Sequence, residues 1–74
     1  MSTVRDAAVE KLIELLKAAN KGTSSYLAIV EALGEAGGEE ALAALLDALG
    51  STNPGTSSSK AIIRALGRVG HTGE

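Results

Sequence analysis

Four stretches of the chain carry apolar side chains at helical spacing, and none alternates with the period of two that a half-buried strand requires. Leu12, Ile13, Leu16 and Ala19 fall at i, i+1, i+4 and i+7, and Tyr26, Ile29, Val30 and Leu33 at i, i+3, i+4 and i+7. Leu42, Leu45, Leu46 and Leu49 repeat the second pattern; Ile62, Leu66 and Val69 form a last stripe with Ile63 beside it. Polar residues punctuate these runs. Thr3 with Asp6, Thr23–Ser25, the acids Glu39 and Glu40, and Ser57–Ser59 read as helix starts. Asn20 with Gly22, Gly37 with Gly38, Gly50 through Gly55, and Gly70 read as stops. The pattern predicts helices over 3–20, 24–36, 39–50 and 57–69. A turn as short as 37–38 makes helices two and three an antiparallel hairpin.

The chain also repeats itself. Thr23–Gly37 (TSSYLAIVEALGEAG) laid over Thr56–Gly70 (TSSSKAIIRALGRVG) is identical at nine of fifteen positions, at an offset of 33 residues. The same offset carries Ala8, Leu12, Leu16, Asn20 and Gly22 onto Ala41, Leu45, Leu49, Asn53 and Gly55. An ungapped period in this range is the mark of a repeat architecture, in which each unit buries its apolar face against the next. The fold class expected is all-α: four helices in two tandem 33-residue helical-hairpin units, about 4–36 and 37–70, forming a single domain with 71–74 as a flexible tail. Whether they form an open solenoid or a small closed bundle stays open at this level.

The residues at the centre of the repeat carry a resemblance. Ala32-Leu33-Gly34 with Gly37, followed by Ala41, Leu45, Leu46 and Leu49, resembles the HEAT-like repeat of bilin-lyase-type proteins and of many α-solenoids. Ala65-Leu66-Gly67 with Val69 and Gly70 restarts the pattern, so the resemblance covers roughly residues 24–70. It implies a fold and no particular activity, because such repeats serve in scaffolds, adaptors and lyase subunits alike.

Wheel positions add expectations about packing. Helix three has one charge beyond its first turn, Asp47, and Ala41, Ala43, Ala44 and Ala48 flank its leucines, so it is expected to be enclosed on several sides. Gly34 and Gly67 lie inside helices, each costing about 1 kcal/mol against Ala; either close packing or a loosened last turn accounts for them. Glu31 and Glu35 map by the repeat onto Arg64 and Arg68, so side-by-side stacking of helices two and four would bring acidic and basic faces into register. On helix one, Val4, Ala8, Leu12 and Leu15 point one way while Val9, Ile13 and Leu16 point another. An apolar surplus on an end helix predicts a second partner, most simply another chain, or else a wedge between helices two and three. The interface candidates are therefore Val4, Ala8, Leu12, Leu15, Tyr26, Arg64 and Arg68.

Composition narrows the function. The chain has 74 residues, no Cys, Phe or Trp, and a net charge of -2, which removes disulfides, thiolate metal sites and the basic footprint of a nucleic-acid or anionic-membrane binder. No apolar run approaches the ~18 residues of a membrane span, and the start lacks a signal-peptide pattern. The expectation is a soluble chain without a targeting signal, cytoplasmic by default. Candidate chemistry is thin. His71, the single histidine, reads as a solvated tail residue, since a zinc site would need several carboxylates from elsewhere. Gly55–Lys60 (GTSSSK) lacks the Gly-Lys-Ser/Thr order and the preceding strand of a phosphate loop, and reads as an N-cap serine cluster. The expected function is a non-catalytic scaffold, designed or consensus-like and self-associating as a homodimer or higher homo-oligomer, with no cofactor, metal, nucleic acid or membrane partner. The alternative is a protein-binding module or a fragment of a longer natural HEAT-like repeat protein.

Overall fold

A computed structural model describes residues 4–72, apart from the side chains of Arg5, His71 and Thr72. Four helices follow one another: α1 (Val4–Ala18), α2 (Ser24–Ala36), α3 (Gly38–Gly50) and α4 (Ser57–Thr72). Among the described residues there is no strand. Thr3, Gly73 and Glu74 lie outside the described residues, as does the side chain of His71.

Two loops of related sequence, Asn20–Thr23 and Asn53–Thr56, are built the same way. The Thr23 hydroxyl donates to the Asn20 carbonyl at 2.7 Å and accepts from the Tyr26 N–H at 3.2 Å. The Thr56 hydroxyl does the same with the Asn53 carbonyl at 2.8 Å and the Ser59 N–H at 3.1 Å. Each threonine thus satisfies one of the orphan amides at the start of its helix. Between them Gly22 and Gly55 take φ of +86° and +84°, a region open to glycine at little cost. The cap of α4 is therefore Thr56 and not the Ser57–Ser59 cluster. Ser58 and Ser59 are buried instead, and the Ser58 hydroxyl accepts from the Gly22 N–H at 2.9 Å, tying the first loop to the last helix.

Helix ends depart from expectation by more than one residue at two places. α1 stops at Ala18, where a helix to residue 20 was expected. α4 runs on to Thr72, past the stop expected at Gly70 and into the tail expected from 71. The α2–α3 junction turns on two consecutive positive-φ residues, Gly37 at +70° and Gly38 at +90°. Their counterparts are Gly70 and His71. A side chain at the second position disfavours the left-handed backbone, so the helix continues.

α2 and α4 pack side by side most extensively; α3 lies on α4, α1 lies on α2, and α1 touches α3 least. The hairpins are therefore α1–α2 and α3–α4, stacked through their second helices, and α3 rests less on its sequence neighbour α2 than on α4. Val30, Leu33, Ala41, Leu45 and Ile62 are completely buried at the centre. A full burial of this kind contributes roughly 1.5–3 kcal/mol per large aliphatic side chain. The α2–α4 approach is close enough that a Cβ added at Gly34 would sit 2.9 Å from both Cα and Cβ of Ala65, so close packing explains this glycine. Close packing within the chain does not explain Gly67, because a Cβ there would meet nothing within 4 Å. α3 meets α4, α2 and, least, α1, yet it is not enclosed all round, because Leu42, Ala43 and Leu46 stay exposed.

Candidate functional site

The 33-residue offset converts the burial pattern into a map of what the stack leaves unpaired. Val9, Val30, Leu33 and Gly34 of the first unit are buried, and Ile13 is partly buried. Their counterparts in the second unit are Leu42, Ile63, Leu66, Gly67 and Leu46. Leu46 is 53% exposed and Ile63 55%, Leu42 is exposed, and Leu66 is only partly buried. Ile63, Leu66, Gly67 and Gly70 fall at i, i+3, i+4 and i+7, one face of α4. On α2 the matching stripe of Val30, Leu33, Gly34 and Gly37 is buried throughout. One end of the molecule therefore carries an apolar face that its own first unit buries.

The opposite end carries the complementary face. Ala41, Leu45, Ala48, Ala61, Ile62 and Ala65 are buried in the second unit. Their counterparts are Ala8, Leu12, Leu15, Ala28, Ile29 and Ala32. Of these Ala8, Leu15 and Ala28 are exposed, and Leu12, Ile29 and Ala32 are partly buried. The α1 candidates thus lie on one surface: Val4 at 90% exposure and Leu15 at 42% flank Ala8 and the half-covered Leu12. Tyr26 does not join them. It is 2% exposed and sealed at the start of α2, so contrary to expectation it is a core residue and not part of an exposed interface. Its counterpart Ser59 is buried as well, so both units use this position as interior.

Charges line the flank where α2 and α4 run together. Arg68 pairs with Glu35 at 3.1 Å, a contact between equivalent positions of the two units, and Glu31 and Arg64 share the same small cleft. Both partners of the pair are mostly exposed, so the contact contributes about 0–1 kcal/mol and acts on register more than on stability. On the other flank α1 and α3 splay, leaving a groove of about 640 Å³. Its floor is Ile13, Leu16, Ala44 and Ala48, and its rim holds Glu10, Glu40 and Asp47 together with Lys17 and Lys21. Lys21 closes one end by donating to the Ser51 carbonyl and hydroxyl. Such a groove offers an apolar seat with a charged rim.

Reading the sequence alone overlooked Leu42, Leu46, Ile63, Ala32 and Gly67. The signal was present: an array of two units has one internal junction, so the counterparts of its junction residues are less covered than the junction residues themselves. Among the described residues no group of three or more His, Asp or Glu lies together as a metal site, and no helix is long and apolar enough to cross a membrane. Residues 26–51, which are 26 of the 74, match the family described as the PBS lyase HEAT-like repeat. No curated protein and no solved structure matches the chain. The matched segment spans α2, the Gly37 turn and α3, so it crosses from one hairpin to the next and contains Gly34, Leu45 and most of the buried centre. Stacked helical units, the Gly34–Ala65 approach and this match agree: the chain is a stack of helices in which residues 26–51 are similar to a HEAT-like repeat.

Proposed function

We propose that this protein is a non-catalytic helical-repeat scaffold whose work is done by the surfaces at its two ends, where it docks other protein surfaces. The observation that carries this reading is the exposure of Leu46 and Ile63 at positions whose first-unit counterparts, Ile13 and Val30, are partly and completely buried. Contiguous apolar faces of this kind mark interaction sites on a folded chain. The buried hydroxyl of Ser58 supports it too, because it holds the Gly22 loop against α4 and is committed to structure. A strict 33-residue period is what a consensus-like or designed scaffold carries, and it supplies the test.

Inserting a duplicate of residues 23–55 between Gly55 and Thr56 adds one unit in register. In an open repeat scaffold the added unit makes a second internal junction like the first, so the melting temperature rises and the cooperative transition sharpens. A lower melting temperature or loss of helical signal would mean a closed globule with a fixed number of helices, and would overturn the scaffold reading.

A further inference from the structure

We propose that the protein stacks head to tail on a second copy of itself, the α3–α4 end of one chain seated on the α1–α2 end of the next. The proposal rests on the scaffold reading and adds the partner's identity. Three features of the junction inside the chain recur, half at each end.

The first is shape. Inside the chain Gly34 receives Ala65. The counterpart of Gly34 is Gly67, beside which there is open space, and the counterpart of Ala65 is Ala32, on the outer side of α2. A stacked copy brings Ala32 of one chain onto Gly67 of the other. Leu42, Leu46 and Ile63 then take the covered positions of Val9, Ile13 and Val30.

Charge is the second. Inside the chain Arg68 meets Glu35. A one-unit translation sets Arg68 beside the next copy's Glu35, and Arg64 beside its Glu31, extending a row of alternating sign. A two-fold arrangement of α4 on α4 would instead set Arg64 and Arg68 against the same arginines, and one of α2 on α2 would oppose Glu31 and Glu35. Like charges directly opposed disfavour both closed dimers. The third is the loop. Gly22 donates to Ser58 within the chain; the end-face counterparts, Gly55 and Ser25, are both exposed and come together across the stack.

A junction between units this small falls in the class of weak interfaces, with a dissociation constant on the order of 100 µM. Sedimentation of the whole chain from roughly 10 µM to 1 mM brackets that value. The weight-average mass should rise from the 7.4 kDa of one chain and pass twice that value without a plateau, because a head-to-tail contact does not close. Gly67→Lys blocks one end and Ala32→Lys the other. Each variant alone should remain at the monomer mass, and an equimolar mixture should form one-to-one pairs of twice that mass. If Gly67→Lys loses its helical signal, Leu46→Lys blocks the same end. A wild-type chain that stays monomeric throughout, a blocked variant that still dimerises alone, or a mixture that stays monomeric overturns the proposal. The insertion test reads the stability of single chains, so each reading can fail without the other.

Discussion

Gly34 and Gly67 occupy the same position of the repeat, three residues before Gly37 and Gly70, yet alanine should act on them in opposite directions. Both substitutions gain helix propensity of about 0.8–1.0 kcal/mol. At Gly67 nothing opposes that gain, because the new methyl meets no atom within 4 Å. At Gly34 the methyl lands 2.9 Å from the Ala65 Cα and Cβ, and backbone cannot swing aside as a flexible side chain would. α2 and α4 must separate, an overpacking that costs about 1–3 kcal/mol. Propensity largely cancels between the variants, leaving Gly34→Ala less stable than Gly67→Ala by roughly that overpacking cost. For a domain of this size each kcal/mol moves the melting temperature by about 4–8 °C. Gly67→Ala is expected to melt above the wild type, and Gly34→Ala at or below it. Urea titration followed by far-UV circular dichroism, at protein concentrations too low for association, measures both. Equal stabilisation by the two alanines would refute the close α2–α4 approach.

Two further pairs of neighbouring or equivalent positions make similar contrasts. Leu45 is completely buried and Leu46 is half-exposed, so Leu45→Ala should cost about 2–5 kcal/mol, close to the whole stability of a small domain. Its cooperative melt should vanish at ambient temperature, whereas Leu46→Ala should melt within a few degrees of wild type. Ser58→Ala removes the acceptor of the Gly22 N–H and should cost about 1–3 kcal/mol. Ser25→Ala, at the exposed equivalent position, should fall within about 0.5 kcal/mol of wild type in the same denaturation assay.

Much of this fold was legible because local and long-range signals agreed. Thr23 and Gly37 marked the ends of α2 where the structure has them, and α2 and α4, which the offset of 33 equates, pack side by side most extensively. The expectation that Glu31 and Glu35 would come into register with Arg64 and Arg68 is met by the Arg68–Glu35 pair. Failures came where a residue's role depends on its counterpart's surroundings. Helix three looked surrounded because alanines and leucines fill its circumference, but a wheel cannot count how many neighbours exist. Gly34 and Gly67 looked alike because their local sequences are alike; only the presence of Ala65 beside one of them separates them. The serine run at 57–59 suggested a cap by composition, and Thr56 took that role because its backbone position, fixed by Gly55, places the hydroxyl over the Ser59 amide. Tyr26, expected among the interface candidates, is interior because the tightly closed start of α2 buries it.

The unequal spacing of the two helix layers has a geometric result. α2 and α4 meet at near-contact of backbone through Gly34, while α1 and α3 stand apart across an open groove. Two wedges joined this way are narrower on one side, so any ribbon grown from them curves, with the second helices along the inner radius. The alternating glutamates and arginines would then line the hollow of the arc, and the α1 and α3 grooves would open along its outer rim.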